Sequence, residues 1–455
     1  MNFSALDGRR IGVWGLGRET LSLIDQLRRR LPAARVTVIV DDQPVDLARA
    51  RDLAGPDVTV ASGDDLAAAL LTCDVVVRSP GVSIYGPAAT AVREAGIPLT
   101  TATALWMAED RARPAIAITG TKGKSTTSLL TAHLARASGL GVELAGNVGR
   151  PALDLLDEAP ADLYVIELSS YQTADLAQGA RVVVLTNLYS EHLPWHGSFE
   201  AYFHDKLRLA TLPGVETVVA SGRDRGLDDA LSATTAAVNR FGVPGGYDLT
   251  ERGIVDGDRL VLARADLPLP GDHNALNVCA ALEALRAFGI AEPPLPEALR
   301  GFRPLPHRLE VIGESGGLTW VNDSISTTPE STVAGLDSFS GAASLTLIAG
   351  GLDRGQDFAG LGRVLAQRAI RLITLRDTGP KLAAAASEAG LPADLIASAA
   401  TVEEAVAVAR RESTSGATVL LSPAGASQPH FKDFEARGEA FREAVLHPSR
   451  AGSGA

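Results

Sequence analysis

Ile116-Ala-Ile-Thr-Gly-Thr-Lys-Gly-Lys-Ser-Thr-Thr127 is the stretch whose reading decides the fold. A short apolar strand, Ala115 to Ile118, runs into a glycine-bearing loop, Gly120 to Lys124. A helix is expected from about Ser125, with Leu129, Leu130 and Leu134 on one face. Such a loop turns successive backbone N–H groups inward beside a lysine and a helix N-terminus, and so gathers positive potential for a polyphosphate. The common pattern G-x-x-x-x-G-K-[ST] places its first glycine at position 118, where Ile stands, and the tighter T-G-T-x-G-K-S-T is present instead. Gly120, Thr121, Lys122, Gly123, Lys124, Ser125 and Thr126 are therefore candidate contacts for a nucleoside triphosphate. The competing reading is a glycine turn with no ligand, but Lys124 followed by two hydroxyl residues at a helix start has no structural necessity.

Composition bounds what surrounds this loop. At 455 residues and 46% hydrophobic content, the chain fills more than one core, and roughly 150 residues per domain suggests about three. A net charge of −12 and a pI near 5.2 argue against nucleic acid or an anionic membrane as the main partner. Cys73 and Cys279 lie in apolar surroundings and read as buried thiols. The amino terminus lacks the apolar core of a signal peptide, and no apolar run reaches spanning length, so a cytoplasmic protein without membrane insertion is expected, acting as a monomer.

The first hundred residues alternate strand and helix as in a doubly wound sheet: strand Arg10 to Trp14, a turn through Gly15 and Gly17, a helix Leu21 to Arg30, and a strand Val36 to Val40 that ends at Asp41. A later strand, Asp74 to Val77, stops at Arg78-Ser79-Pro80-Gly81. Thr20 replaces the third glycine of a dinucleotide fingerprint, which weakens an NAD reading. Ligands of such folds sit at strand carboxyl ends, so Gly17, Arg18, Asp41, Ser79 and Gly81 should share one crevice, with Arg18 meeting a diphosphate and Asp41 a sugar or base. Turn residues with no ligand are the equal alternative. A second nucleotide-type pocket in the same chain tips the balance towards ATP in one and a nucleotide-linked substrate in the other.

Beyond the linker Arg111-Ala-Arg-Pro114, Gly146 to Gly149 reads as a turn and Leu163 to Tyr171 as a buried strand bearing Glu167. A buried acid is costly unless paired or coordinating a cation. Magnesium (Mg2+) on ATP phosphates is such a cation, with the Ser125 hydroxyl as neighbouring ligand. Strand Arg181 to Leu185 leads into a polar, aromatic segment holding His192 and His196, too few ligands for a zinc site. The helix Phe199 to Leu209 carries Lys206, for which residue type alone favours a solvent-facing salt bridge. Gly271 to Asn277, including Asn274, precedes an apolar helix, Val278 to Ala287; its amides are candidates to face adenine or ribose, and Asp272 is a candidate helix cap. A last α/β segment begins near Arg303, and its strands Leu318 to Val321, Ser344 to Ala349 and Thr418 to Leu421 end in polar loops that suggest a small-ligand pocket.

Taken together, Thr119 to Thr126, Gly146-Asn-Val-Gly149, Glu167-Leu-Ser-Ser-Tyr-Gln172, Thr186-Asn-Leu188 with His192, Lys206, Gly271 to Asn277, His307-Arg-Leu-Glu310, Asn322-Asp-Ser324, Gly350 to Arg354 and Leu421 to Ser427 resemble the Mur ligases in order and spacing. Within them the chain looks most like the glutamate-adding branch, with a compact amino-terminal domain and the ending Ser427…Lys432-Asp-Phe434-Glu-Ala-Arg-Gly438. The resemblance implies three α/β domains: a Rossmann-like parallel sheet over 1–112 for a UDP-linked substrate, a central P-loop ATPase-type domain over 113–303, and a Rossmann-like glutamate domain over 304–455. It implies that UDP-N-acetylmuramoyl-L-alanine is activated by ATP as an acyl phosphate and captured by glutamate. Lys124, Glu167, His192 and Lys206 would be catalytic. Ser125 and Glu167 would serve one magnesium, and His192 and a carbamylated Lys206 a second. Asn147 would orient the UDP substrate, Arg308 and Asp323 would reach the nucleotide, and Thr327, Arg354, Ser427 and Phe434 would surround glutamate. Because these pieces lie on different domains, closure is expected, which would also keep water from the acyl phosphate.

One departure concerns stereochemistry. Enzymes that add D-glutamate typically read Asp-Ser-Lys-Ala-Thr-Asn where this chain has Asp323-Ser-Ile-Ser-Thr-Thr-Pro-Glu330. Losing a cation at Ile325 should reposition the carboxylates of the amino acid, and the run resembles variants that add L-glutamate, so L-glutamate is expected over D-glutamate. Folylpolyglutamate synthases would not need the crevice at Ser79 to Gly81, a dehydrogenase leaves the ATP loop unexplained, and a non-catalytic scaffold would tolerate loss of Glu167 or His192.

Overall fold

Arg10–Trp14 (β1), Arg35–Val40 (β2), Val58–Ser62 (β3), Val75–Arg78 (β4) and Leu99–Thr100 (β5) form a parallel sheet in the order β3-β2-β1-β4-β5. The chain builds outward from β1 to β3 and then returns to the other side of β1, so the order reverses between β1 and β4. In open sheets of this kind, that reversal opens a crevice at the carboxyl ends. Parallel strands covered on both faces must be apolar almost throughout, and Ile11, Val13, Val38, Val75, Val76 and Val77 are accordingly fully buried. The structure is a computed structural model; it describes residues 1–447 apart from 42–43, 54–57, 113, 190–192, 268, 270, 340 and 354.

A second parallel sheet comprises Ala115–Thr119 (β6), Val142–Gly146 (β7), Leu163–Glu167 (β8), Val182–Leu185 (β9), Thr217–Ser221 (β10) and Ala237–Phe241 (β11), ordered β11-β10-β9-β6-β8-β7. β6 is central, with β8 and β9 as its two neighbours, so the loop after β6 is bordered by the ends of both. Helices Lys124–Ala137 and Asp272–Phe288 pack together on one face through Leu130, Leu134, Val278 and Leu282. A small antiparallel sheet, Tyr247–Thr250 (β12), Gly253–Asp256 (β13) and Arg259–Ala263 (β14), adds to this part.

The two parallel sheets belong to one compact unit, Met1–Phe302. A continuous apolar cluster runs from Ile11 and Val13 to Ala115, Ala117 and Tyr164, and Trp106 meets Tyr164 edge-on with ring centres 5.1 Å apart. Helix Arg18–Arg30 stitches the seam: Gln26 Nε2 donates to Asp157 Oδ2 at 2.8 Å and Arg30 Nη2 to Asp157 Oδ1 at 2.7 Å.

The second unit, Arg303–Ala455, holds one mixed sheet. Its strands are Glu310–Ser315 (β15), Leu318–Asn322 (β16), Leu345–Ala349 (β17), Arg371–Thr374 (β18), Ile396–Ser398 (β19) and Thr418–Leu421 (β20), ordered β15-β16-β20-β17-β18-β19, with only β15 antiparallel. Because β20 returns between β16 and β17, the loops after these three strands are neighbours. Apolar clusters fill both faces, one around Trp320 and Phe441, the other around Leu347 and Leu365.

Two elements differ from the sequence reading. The strand with Glu167 stops there rather than at Tyr171, because Ser169 caps a helical turn, Ser170–Thr173, accepting from Gln172 N while the Gln172 side chain accepts from Ser169 N. The helix expected from Val278 starts at Asp272, entered through Gly271 at φ +90°; Asp272 does not cap it and instead accepts from Arg264 at 2.6 Å. Cys73 and Cys279 are buried free thiols. Among the described residues no helix is long and apolar enough to cross a membrane.

Candidate active site

The loop after β6 is shaped by two glycines in backbone conformations that L side chains rarely adopt, Gly120 at φ +140° and Gly123 at φ +81°. Space is as restrictive as torsion. A Cβ on Gly120 would lie 2.0 Å from Thr186 Oγ1, and one on Gly123 would lie 2.4 Å from Asn277 Oδ1. The end of β9 pins the loop: Lys122 N donates to Asn187 Oδ1 at 2.8 Å, Thr186 Oγ1 donates to Lys122 O at 2.7 Å, and Thr121 N donates to Asn187 O at 2.9 Å. With its neighbours so held, the loop is preorganised for an anion at the N-terminus of helix Lys124–Ala137, whose first turn carries Ser125 and Thr126.

Two lysines meet at one carbonyl. Lys124 Nζ donates to Gly120 O at 3.0 Å and to Thr121 O at 2.8 Å, and Lys206 Nζ donates to the same Gly120 O at 2.7 Å. Lys206 is 2% exposed and its amine lies 4.9 Å from the centre of the Tyr202 ring. The solvent-facing salt bridge expected from residue type is thus overturned: helix Phe199–Leu207 turns this position into the sheet end.

Glu167 ends β8, adjacent to β6, and is fully buried. Its Oε1 accepts from Asn147 Nδ2 at 2.6 Å, whereas Oε2 is buried without a hydrogen-bond partner. A buried carboxylate oxygen left unsatisfied costs free energy that coordination to a cation recovers. The residues present therefore fit a divalent metal: an orphaned carboxylate oxygen, the Ser125 hydroxyl at the helix start, and Lys206 if it is carbamylated. His192 lies outside the described residues. His196 is engaged elsewhere, with Nδ1 2.9 Å from Asp205 Oδ2 and Nε2 3.0 Å from Ser170 Oγ.

The far side of the loop is closed by helix Asp272–Phe288. Thr127 Oγ1 donates to Asn277 Oδ1 at 3.2 Å, and Asn277 Nδ2 to Asn274 Oδ1 at 3.3 Å. Asn274 is thus near the loop through Asn277, a residue the sequence reading quoted within a motif but left out of the site. The i, i+3 spacing of two asparagines on a mostly apolar helix was the available signal.

At the first sheet, the structure brings Gly17 and Ser79 together across the β1/β4 reversal, since a Cβ on Gly17 would lie 2.8 Å from Ser79 Oγ. Thr20 explains the missing third glycine: its hydroxyl accepts from Gly17 N and donates to Gly15 O, both at 2.9 Å. Gly81 O accepts from Trp195 Nε1 at 3.1 Å, and Asp41 lies exposed after β2. Arg18 does not idle over a crevice. It donates to Asn147 O at 3.1 Å and Gly149 O at 3.2 Å, so one residue, Asn147, contacts both Arg18 and Glu167.

In the second unit, Asp323 is buried and accepts from Leu309 N at 3.2 Å and Ser422 Oγ at 2.8 Å. Burial raises its pKa to about 6, against the opposing pull of hydrogen bonds from Ser326 and Ser422 and of the Arg308 charge, so Arg308 and Asp323 are electrostatic neighbours. Arg308 Nε is buried without a hydrogen-bond partner. The loop bearing Thr327 is tied to the loop bearing Ser427 by Ala424 N donating to Ser326 O at 3.0 Å, and Ser324 Oγ donates to Phe434 O at 2.8 Å. Arg354 lies outside the described residues.

Three family descriptions match the chain: the Mur ligase MurD-like N-terminal domain over residues 9–101, the Mur ligase middle domain over 118–285, and the Mur ligase glutamate ligase domain over 307–425. A protein of Xylella fastidiosa named UDP-N-acetylmuramoyl-L-alanine–L-glutamate ligase is 39% identical over 457 residues, covering 97% of this chain and 96% of its own. One of the same name from Salinispora tropica is 41% identical over 459 residues, covering 98% and 99%. Among solved structures, the UDP-N-acetylmuramate–alanine ligase of Thermotoga maritima matches 97% of this chain and 100% of its own with a TM-score of 0.59 at 17% identity. The folylpolyglutamate synthase of Mycobacterium tuberculosis, complexed with ADP and AMPPCP, matches 72% of this chain and 90% of its own with a TM-score of 0.56 at 18% identity. These structural likenesses speak to the fold.

Proposed function

Since the chain belongs to the Mur ligase family, we propose that it joins L-glutamate to UDP-N-acetylmuramoyl-L-alanine at the expense of ATP, a step of peptidoglycan precursor synthesis. The division we propose is 1–112 for the UDP substrate, 113–303 for ATP and 304–455 for glutamate. The observation that carries the reading is Glu167, fully buried at the end of β8, with one oxygen held by Asn147 and the other without a hydrogen-bond partner.

In the first half-reaction, the carboxylate of the UDP substrate attacks the γ-phosphorus of ATP; a C–O–P linkage forms and ADP leaves. In the second, the amine of glutamate attacks the acyl carbon; the amide bond forms and phosphate leaves. The loop amides and Lys124 hold the triphosphate and stabilise charge spreading over the transferring group. Magnesium, when bound, offsets the repulsion between the two anions. Ser125, Glu167, His192 and a carbamylated Lys206 are the residues that would hold it. Carbamylation would exchange the charge of Lys206 for oxygen ligands while leaving an N–H to donate to Gly120 O. Gly17, Ser79, Gly81, Asp41 and Arg18 are assigned to the UDP end with Asn147, Arg308 and Asp323 to the nucleotide, and Thr327, Arg354, Ser427 and Phe434 to glutamate.

Phosphate release from ATP in the presence of UDP-N-acetylmuramoyl-L-alanine tests this, with L- and D-glutamate compared and the product analysed by mass and configuration. The expected result is release that depends on L-glutamate. Preference for D-glutamate would overturn the stereochemical assignment, and release with neither would overturn the substrate.

A further inference from the structure

The carboxyl ends of β17 and β18 and the loop after β20 border a cavity of about 260 Å³, lined among others by Arg376, Glu403, Ser427, His430 and Arg437. The volume lies just below the range of about 300–1,000 Å³ usual for small-molecule sites, which suits part of an amino acid and not a nucleotide. Its charge is unusual. Arg437 is 2% exposed, and its three polar contacts are all to neutral oxygens: Nε donates to Ser324 Oγ at 3.0 Å, Nη1 to Gly425 O at 3.0 Å and Nη2 to Ser324 O at 2.8 Å. Among the described residues no carboxylate pairs with it. Burial alone lowers its pKa to about 10, the signature of a guanidinium with no counter-ion.

Arg376, at the end of β18, is exposed to this cavity, and its side chain has neither a hydrogen bond nor an ion pair among the described residues. His430 stands beside it, with Nε2 3.0 Å from Asp377 Oδ2. Against Arg376 and Arg437 the described lining sets one acid, Glu403. A buried cation without a partner is expensive, and an anion that pairs with it removes that cost. Forked guanidinium groups recognise carboxylates in particular.

We infer that this cavity receives the side-chain carboxylate of the amino acid that is added, with Arg376 as its ion-pair partner and Arg437 as a fixed positive charge beneath it. The inference rests on the ligase reading above; the family resemblance did not supply Arg376, and it gave Arg437 no role. The choice of carboxylate follows from connectivity. The reacting amine must stay accessible to the acyl carbon, the α-carboxylate shares the carbon that bears that amine, and the carboxylate two methylenes away extends farthest from the reacting atoms into a recess. Ile325 stands where D-glutamate enzymes typically carry a lysine, and Arg376 supplies a cation from a different strand end.

Steady-state kinetics on the full chain and on Arg376→Gln and Arg376→Lys, with L-glutamate and L-glutamine as alternative acceptors, tests the assignment. In Arg376→Gln the KM for L-glutamate should rise about tenfold to a hundredfold, as expected for one charge-assisted hydrogen bond. The KM for ATP should not move, and the preference for glutamate over glutamine should collapse. Arg376→Lys should recover part of that preference. Exposure of Arg376 means that its replacement spares the core. An unchanged glutamate KM and an unchanged glutamate-to-glutamine preference in an active Arg376→Gln would overturn the inference and leave the ligase reading intact. Absence of glutamate-dependent phosphate release by the unmodified protein would overturn the ligase reading and the inference with it.

Discussion

The loop after β6 and the cavity at the β17–β18 end both present cationic side chains, yet they are held in opposite ways. Around the loop, backbone and side-chain groups are pinned by the adjoining strand end: Thr186 and Asn187 fix Lys122, and Asn277 lies against Gly123. Around the cavity, loops distant in sequence are drawn together by one buried side chain, Arg437, bonded among the described residues to neutral oxygens. The first site is built into a local strand-loop-helix unit; the second exists only when the whole sheet is assembled. A local unit tolerates damage elsewhere, whereas an assembled one concentrates its dependence on few contacts.

The largest effect expected from this contrast is on turnover. Glu167→Gln replaces the orphaned oxygen by an amide and should cut kcat about a thousandfold, while thermal unfolding shows no loss of stability, because a buried charge has been removed. Loss of both together would mean that Glu167 is structural.

Next comes Asp323. Its folded pKa is raised from the ordinary 3.8 to about 6 by burial, so the folded chain holds the proton more tightly than the unfolded one. Stability should therefore fall as pH rises from about 4 to about 6, by at most about 3 kcal/mol, and stay level above. Unfolding measured across that window should lose this slope in Asp323→Asn; a slope that persists would place its origin elsewhere.

Arg437→Lys removes the fork that joins Ser324 to Gly425 and should destabilise the second unit by about 1–3 kcal/mol. Amide hydrogen exchange should quicken in β16 and β20 and leave β6 unchanged. Equal quickening in β6 would erase the contrast between local and assembled sites. The smallest effect is expected at Gly123→Ala, about 1–2 kcal/mol from its left-handed backbone, with an added clash against Asn277. The double variant with Asn277→Ala should relieve the clash and keep the backbone cost, readable in urea unfolding.

Legibility in the sequence followed the same division. The strand-loop-helix around Gly120 could be read because apolar run, glycines and helix start lie side by side within a dozen residues, and β1, β2, β4, β16, β17 and β20 were legible as apolar runs, whereas β5, β15 and β19 were not. Two local features were overlooked, and the non-local ones escaped. Asp272, His273 and Asn274 look like a loop, yet they form the first turn of a helix entered through Gly271. The antiparallel strands β12 to β14 were missed although Asp256-Gly257 marks a hairpin turn, with Gly257 at φ +60°. Lys206 looked like a surface cation until tertiary structure buried it. Arg376 stands in no motif and Arg437 only within the ending that resembles the glutamate-adding branch, which gave it no role; that neither guanidinium pairs with a carboxylate among the described residues is visible only in the assembled coordinates.

Gly120 O accepts from both Lys124 and Lys206, so phosphate binding at Lys124 would be an exchange of acceptors. An incoming phosphate oxygen would compete with a neutral carbonyl for the Lys124 amine, and a charged acceptor attracts that cation more strongly than a carbonyl dipole does. A nucleoside without phosphates offers nothing better than the carbonyl and gains nothing from the loop. In the ligase reading the resting pose would work as a threshold: it would set a minimum anionic strength for entry and disfavour uncharged look-alikes before any chemistry begins.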